Sequence, residues 1–388
     1  MKTAIYGGSF NPPHLGHIEV ARYVSKALNP GKFLIIPDNI PPHKNMEENS
    51  PSPEQRLEMC ALAFGFIENV EISDMEIRRE GKSYTSETMD ELSQIYPGDD
   101  FHLVIGTDML QTFEEWYRFE HIFEMCTLTV LARGEDDSQL ISETAERFRR
   151  EYGAKIEIIP HEPIVMSSSE IREKLRARLG ADMLDGAVYS LIIKNGYYDA
   201  LPELSWLREK VYDYLDSKRI AHVAGCESEA VNLARRWGED EEKAATAAIL
   251  HDITKRCTEK QQLELCREYD IHCDEGELSE PKLLHAKTGA EAARRIFGVS
   301  DDIYNAIRWH TTGKPDMTLL EKIIYLADYI EPTRDFKGVE ELRALAYEDI
   351  DAAMALGTEM SIQEIRSKGF EPYKDTIEAC IYYNTEEK

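Results

Sequence analysis

Apolar and polar positions change rhythm once along this chain, near residue 200. Up to about residue 195, short apolar runs rich in β-branched residues alternate with longer stretches of helical period. "TAIYG", "KFLIIP", "VEISD", "FHLVIG", "TLTVLAR" and "KIEIIP" read as strands. "HLGHIEVARYVSKAL", "PSPEQRLEMCALAF", "SETMDELSQIY", "DMLQTFEEWYRFEHIF" and "ETAERFRREYG" repeat their apolar positions every three or four residues and read as helices. Strict alternation of the two predicts an α/β, doubly wound parallel sheet, with ligands at the carboxyl ends of its strands.

From about residue 203 the strand signal stops. "SWLREKVYDYLDSK", "EAVNLARRWG", "EEKAATAAILHDITK", "EKQQLELCREY", "AKTGAEAARRIFG", "SDDIYNAIRWHTTG" and "TLLEKIIYLADYIEP" all carry the helical period, punctuated by Gly or Pro. An all-α domain is expected there. The join falls in "NGYYDALPEL", so the expected domains are residues 1–199 and 203–388. No internal repeat or low-complexity tract interrupts them, and "NTEEK" reads as a frayed end.

Charge narrows the partners. Lys and Arg total 45 against 73 Asp and Glu, a formal charge of −28 over 388 residues. A general nucleic-acid or membrane surface needs a basic footprint, and this chain lacks one. Phosphate-bearing small ligands stay open, provided that local Lys, Arg, helix N-termini or metal ions build their site. No apolar run reaches membrane-span length, and "MKTAIYGGSF" is no signal peptide. The cysteines (60, 126, 226, 257, 266, 273 and 380) form no CxxC pair and read as free thiols, which suits a cytoplasmic protein.

Chemistry concentrates first in "GGSFNPPHLGH", Gly7 to His17, between a strand and a helix. Glycines at such a turn let a phosphate approach the backbone, and the helix N-terminus offers unpaired N–H groups. His14 and His17 lie three apart, on one face of the first turn, where imidazoles can meet phosphate oxygens as charge builds. A second stretch, "SSSEIR", gives Ser167 and Glu170 capping-box spacing and puts Arg172 one turn inside a helix.

Together these strings resemble the nucleotidylyltransferase superfamily that carries the HxGH and SSTxIR motifs, with Ser169 where the family usually has Thr. "PDNIPPHK" (Pro37–Lys44), "SYTSETM" (Ser83–Met89), "GTDML" (Gly106–Leu110), Trp116 and "LAR" ending at Arg133 narrow the likeness to bacterial nicotinate-mononucleotide adenylyltransferases. The resemblance implies a Rossmann-like domain that transfers AMP from ATP to nicotinate mononucleotide, releasing pyrophosphate, with Mg²⁺ on the polyphosphate. It makes His14 and His17 catalytic. Gly8, Ser9, Phe10, Lys44, Arg133, Ser168, Ser169 and Arg172 become substrate contacts. Asn39 and Thr85 would hold the nicotinate carboxylate, Trp116 would stack on its ring, and Asp108 would bind ribose. Without the likeness these four are a turn residue, an N-cap, a core aromatic and a second N-cap.

The helical half carries an ordered set: His222, His251–Asp252, His285, His310 and Asp328, in "RIAHVAG", "ILHDITK", "KLLHAKTG", "IRWHTTG" and "YLADYIEPTR". Imidazole and carboxylate ligands drawn from several helices are how bundles build two-metal sites, and a carboxylate such as Asp252 can bridge two cations. The order resembles the HD superfamily of metal-dependent phosphohydrolases, and "HTTG" and "ADYIEPTR" bring it close to the YqeK group of symmetrical diadenosine tetraphosphate hydrolases. That likeness implies two irons: His222, His251, Asp252 and Asp328 on one, Asp252, His285 and His310 on the other. It makes Lys255 and Arg334 phosphate contacts, where the residues alone allow solvated charges. Another phosphohydrolase acting on nucleoside triphosphates or cyclic dinucleotides, or a module that senses nucleotides without turnover, stays open. The expected ligands are ATP, nicotinate mononucleotide and a dinucleoside polyphosphate. No nucleic acid or membrane is expected, and a homo-oligomer is left open.

Overall fold

The computed structural model describes residues 1–42, 46–47, 49–133, 138–161, 164 and 166–385, without the side chains of 133, 138–140 and 279. It forms two compact units, Met1–Leu201 and Pro202–Lys388.

The first unit is built on six strands: β1 (Lys2–Gly8), β2 (Lys32–Pro37), β3 (Val70–Ile72), β4 (Asp100–Gly106), β5 (Thr127–Arg133) and β6 (Lys155–His161). All pair in parallel, in the order β3-β2-β1-β4-β5-β6. Each expected strand forms, because runs such as Phe33–Ile36 bury every side chain between two layers of helices. The helices are α1 (Leu15–Leu28), α2 (Pro53–Phe64), α3 (Thr85–Ile95), α4 (Thr107–Gln111), α5 (Phe119–Met125), α6 (Ser138–Tyr152), α7 (Ser168–Arg176) and α8 (Gly186–Asn195). The strand order, not the chain direction, reverses between β1 and β4, the switch point at which a crevice opens at their carboxyl ends.

Two expectations fail here. "DMLQTFEEWYRFEHIF" is not one helix, since Trp116 is extended (ψ 141°) and Arg118 takes a left-handed φ of 54° between α4 and α5. Ser167 precedes α7 as expected, but its side chain makes no capping hydrogen bond, so no capping box with Glu170 forms.

The second unit is all helical: α9 (Leu204–Tyr212), α10 (Ser217–Trp237), α11 (Glu241–Leu250), α12 (Glu259–Glu268), α13 (Glu275–Ser279), α14 (Leu284–Phe297), α15 (Asp301–Trp309), α16 (Leu319–Ile330), α17 (Val339–Glu348), α18 (Ile350–Ser367) and α19 (Lys374–Asn384). Alanines 244, 245, 247 and 248 of α11 are buried among neighbouring helices, small enough for close approach. "SWLREKVYDYLDSK" breaks after Tyr212, and Asp216 accepts from the Arg219 N–H to start α10, the long helix that carries His222. "ILHDITK" is also not one helical run. α11 ends at Leu250, and the chain then enters tight turns through bonds such as Lys255 N–H to Asp252 O. Gln262 Nε2 holds that turn by donating to Thr254 O at 2.7 Å.

None of the seven cysteines forms a disulfide, and Cys60, Cys126, Cys226 and Cys266 are buried. Among the described residues, no helix is long and apolar enough to cross a membrane.

Candidate active sites

In the first unit two cavities lie along the carboxyl-end halves of β1 and β4 and share Val104 and Ile105. Tyr6, His14, His17, Asp108 and His161 line one. Gly8, Ser9, Glu76, Thr85, Trp116 and Tyr117 line the other. His14 is the N-cap of α1 and His17 its third residue. The rings stack at 3.6 Å, and His17 Nδ1 accepts the His14 backbone N–H at 3.2 Å. That bond leaves the proton of neutral His17 on Nε2, as a donor. Burial lowers His14 to a pKa of about 4, so its ring is neutral at pH 7. The intervening Gly16 is closely enclosed: a Cβ there would lie 3.1 Å from His14 Nδ1 and 3.0 Å from Ile164 O, so the ring or the loop would have to give way.

The turn before α1 is held by a residue that the sequence reading missed. Arg56 of α2 is 1% exposed and donates to Ser9 O (2.7 Å), Asp38 Oδ1 (3.0 Å), Asp38 O (2.8 Å) and Asn39 O (2.9 Å). Ser9 Oγ donates to Asp38 Oδ2, and Phe10 turns through a φ of 45° to set its ring against Phe64 and His17. An arginine at a core position of an amphipathic helix, in register with Met59, Cys60 and Ala63, was the available signal.

The remaining expected residues divide. Thr85 opens α3 at the cavity wall as its first residue, after the N-cap Tyr84. Asp108 is likewise not an N-cap but lies in the first turn of α4, after the N-cap Gly106. Trp116 stacks on Phe113 at 4.9 Å and also lines the cavity, so core packing and wall are one role. Asn39 is not on the lining, and its Nδ2 donates to Arg79 O at 2.8 Å. Ser168 Oγ donates to Pro12 O, which ties α7 to the motif turn, and Ser169 is exposed beside it. Arg172 is already engaged: Nη1 donates to Asn11 O at 2.8 Å and Nη2 to Glu47 Oε1 at 2.7 Å. Lys44 and the Arg133 side chain lie outside the described residues. Glu76, also missed, puts a buried carboxyl on the cavity wall; burial raises its pKa, and Thr88 Oγ1 donates to it at 2.5 Å.

In the second unit the structure brings all six expected ligand residues together. Asp252 is central. Its Oδ2 lies 3.5 Å from His251 Nε2 and 3.7 Å from His222 Nε2, while Oδ1 lies 3.5 Å from His285 Nε2 and 3.7 Å from His310 Nε2. Asp328 Oδ1 is 3.1 Å from His222 Nε2. Three imidazoles donate Nδ1–H to a carbonyl three residues earlier: His251 to Ala248, His285 to Lys282 and His310 to Ile307, at 2.5–2.6 Å. Each Nε2 is thereby left as a lone-pair donor facing inward. His222 gives its Nδ1–H instead to the fully buried Glu331 carboxylate, at 3.0 Å.

Burial would raise Asp252 and Asp328, yet both stay well below the usual carboxylate range, held by His251 and His222 respectively. Burial, reinforced by Lys255, keeps His285 well below its ordinary value and hence neutral. Lys255 Nζ is 2.9 Å from His285 Nε2, Arg219 donates to Asp252 Oδ2 at 2.7 Å, and Arg334 donates to Asp328 Oδ1 at 2.6 Å. His251 Nε2 and Asp252 Oδ1 are buried without a hydrogen bond. Oriented imidazoles, ionised carboxylates and orphaned buried donor atoms fit divalent metal ions. Arg219 and Glu331 escaped the sequence reading, although both lie within three residues of a noted motif position.

A nucleotide-binding doubly wound domain followed by a helical metal centre defines the class, and comparison with known proteins makes it particular. Residues 5–174 match the cytidylyltransferase-like family and residues 219–333 the HD domain. A probable nicotinate-nucleotide adenylyltransferase of Fusobacterium nucleatum is 37% identical over 200 residues, covering 51% of this chain and all of that protein. A symmetrical bis(5'-nucleosyl)-tetraphosphatase of Bacillus subtilis is 41% identical over 170 residues, 43% of this chain and 90% of that protein. A Mycoplasma genitalium protein described as a probable nicotinate-nucleotide adenylyltransferase/Ap4A hydrolase is 28% identical over 337 residues, 86% of this chain and 88% of that one. The chain belongs to the nicotinate-nucleotide adenylyltransferase family through its first half and to the symmetrical bis(5'-nucleosyl)-tetraphosphatase family through its second.

Proposed function

We propose that the chain is a bifunctional enzyme. Its first half joins nicotinate mononucleotide to the AMP of ATP, giving nicotinate adenine dinucleotide and pyrophosphate. Its second half adds water to diadenosine tetraphosphate, giving two ADP.

In the first reaction the substrate's own phosphate is the nucleophile, so the protein contributes position and charge stabilisation. His17 Nε2–H, fixed by the His14 backbone, serves the transferred phosphate as its negative charge grows. Mg²⁺ accompanies the ATP polyphosphate. The backbone N–H groups at the start of α1 add to the same field, and Trp116 and Thr85 offer an aromatic face and a hydroxyl for the nicotinate.

The observation that carries the second half is Asp252, with one oxygen facing His222 and His251 and the other facing His285 and His310. His222, His251, Asp252 and Asp328 would hold one ion, and Asp252, His285 and His310 the other, with iron as the proposed metal. Metals so held would supply an activated water and neutralise phosphate charge. Lys255 and Arg334, beside His285 and Asp328, bind phosphate oxygens and keep the chain in line. A module that only senses nucleotides has no need of this full ligand set.

The test is direct. Purified full-length protein, loaded anaerobically with Fe²⁺, is assayed for nicotinate adenine dinucleotide from ATP and nicotinate mononucleotide, and for ADP from diadenosine tetraphosphate. Appearance of AMP plus ATP in the second assay would mean asymmetric cleavage and overturn the reading of that half.

A further inference from the structure

The metal cluster opens into a cavity of about 1220 Å³, larger than the roughly 300–1,000 Å³ of ordinary small-ligand sites. His285, His310 and Asp328 form its floor. Much of the rest of the lining comes from residues 361–376, beyond the 219–333 span that matches the HD domain. This chain therefore adds a surface to the metal centre that the HD core does not contain.

Phe370 stands out on that surface. α18 ends at Ser367 with Lys368 as its C-cap, and Gly369 follows with a φ of 82°. The Gly369 N–H returns to Arg366 O at 2.9 Å and the Phe370 N–H to Ile365 O at 3.2 Å. That is a Schellman ending, in which the residue at Phe370's position ordinarily tucks its apolar side chain back onto the helix. Here the ring is instead 55% exposed and lines the cavity together with Ile365. The next stretch is pinned across the opening: Tyr373 Oη and Lys374 Nζ both donate to Asp274 Oδ2, at 2.6 and 2.7 Å. Gly276 makes room for this crossing, since a Cβ there would lie 3.0 Å from the Tyr373 ring. An exposed aromatic ring on a backbone fixed by the helix ending thus lines the cavity that holds His285, His310 and Asp328.

We propose that Phe370 is the stacking platform for one adenine base of the dinucleotide, so that the 361–376 segment selects nucleotide ends over bare polyphosphate. The inference rests on the phosphohydrolase reading above. Lys255 and Arg334 draw the phosphates to the metal floor, which leaves a base to reach the rest of the lining. The charges beside the ring are of both signs, but Lys368 Nζ already donates to Glu364 Oε1 and Lys374 Nζ to Asp274 Oδ2, so a neutral, flat purine suits the apolar ring better than another phosphate would. Losing one base–aromatic stack weakens binding by about 5- to 150-fold.

The test compares wild type, Phe370→Ala and Phe370→Trp as full-length, iron-loaded protein. KM for diadenosine tetraphosphate should rise about tenfold or more in Phe370→Ala with kcat within about threefold, and Phe370→Trp should restore it. In parallel, the inhibition constant for ADP should rise by a similar factor while that for inorganic pyrophosphate, which has no base, stays unchanged. Phe370 is exposed, so the melting temperature should not move. Unchanged KM and ADP inhibition in Phe370→Ala, or an equal loss for pyrophosphate, overturns the platform. If wild type does not cleave diadenosine tetraphosphate, the phosphohydrolase reading fails instead, and the ADP-versus-pyrophosphate comparison by calorimetry still decides on Phe370.

Discussion

Glu331 should govern how tightly the second half holds metal, although it is not one of the six candidate ligands. Its carboxylate is fully buried and accepts the His222 Nδ1–H at 3.0 Å, the Thr333 N–H at 2.6 Å and the Thr333 hydroxyl at 2.5 Å. Hydrogen bonds to a charged partner are worth about 1.5–3 kcal/mol, roughly twice the neutral ones. Glu331→Gln keeps an acceptor but removes the charge, so it should cost about 1–1.5 kcal/mol, or about tenfold in metal affinity. Glu331→Ala strands a buried imidazole N–H and should approach a hundredfold, the upper end for losing such an outer partner. Gly225→Ala provides an independent route to the same loss, because its Cβ would fall 2.5 Å from Glu331 Oε2 and push the carboxylate aside. The assay is competition for Fe²⁺ or Mn²⁺ against a chromophoric chelator on the full chain, with melting of the metal-free protein as the folding control. Affinities within twofold of wild type in all three variants would refute the argument, and adenylyl transfer should be unchanged throughout.

Further outcomes follow from the same geometry. His17→Ala should lower kcat for adenylyl transfer by about 10²–10³, the scale for one preorganised donor, with little change in KM for nicotinate mononucleotide, read by steady-state kinetics. His14 sits near pKa 4 when folded against 6.5 unfolded, through burial. Its contribution is therefore complete above pH 6.5 and lost as pH falls toward 4, on the order of 3 kcal/mol in all; urea denaturation at pH 7.5 and 5 should show a loss that His14→Asn removes. Asp252→Ala should release most bound metal and abolish polyphosphate hydrolysis while sparing adenylyl transfer, measured by metal analysis and paired product assays.

Periodicity exposed most of the fold, and the reason is physical. Strands such as Phe33–Ile36 are buried on both faces, so their apolar runs are uninterrupted and cannot be mistaken for surface. Boundaries resisted where tertiary bonds end an element that propensity would continue. Nothing in "ILHDITK" stops a helix; α11 stops because Gln262 and the carbonyl of His285 engage Thr254 from other elements. Arg118 breaks the "DMLQTFEEWYRFEHIF" pattern with a left-handed backbone for which no turn residue gives warning.

The sites divide along a similar line. Residues whose chemistry is their identity, the histidines and aspartates, were legible because few structural roles need that set in that order. Residues that act by holding another group were not, since their type is ordinary and only their place is special. Arg56 reads as a helix charge until its fork is seen on four acceptors beneath the motif turn. Asn39 is expected on the nicotinate carboxylate and its amide donates to Arg79 O, while Arg172 is expected on phosphate and its guanidinium donates to Glu47, partners that no motif announces. The Glu47 carboxylate accepts from both Nε and Nη2 of Arg172, and Arg172 and Arg176 hold it ionised. A polyphosphate that takes those two donors must therefore displace an acid. Binding at that point is an exchange of one anion for another, and it gains only the difference between them.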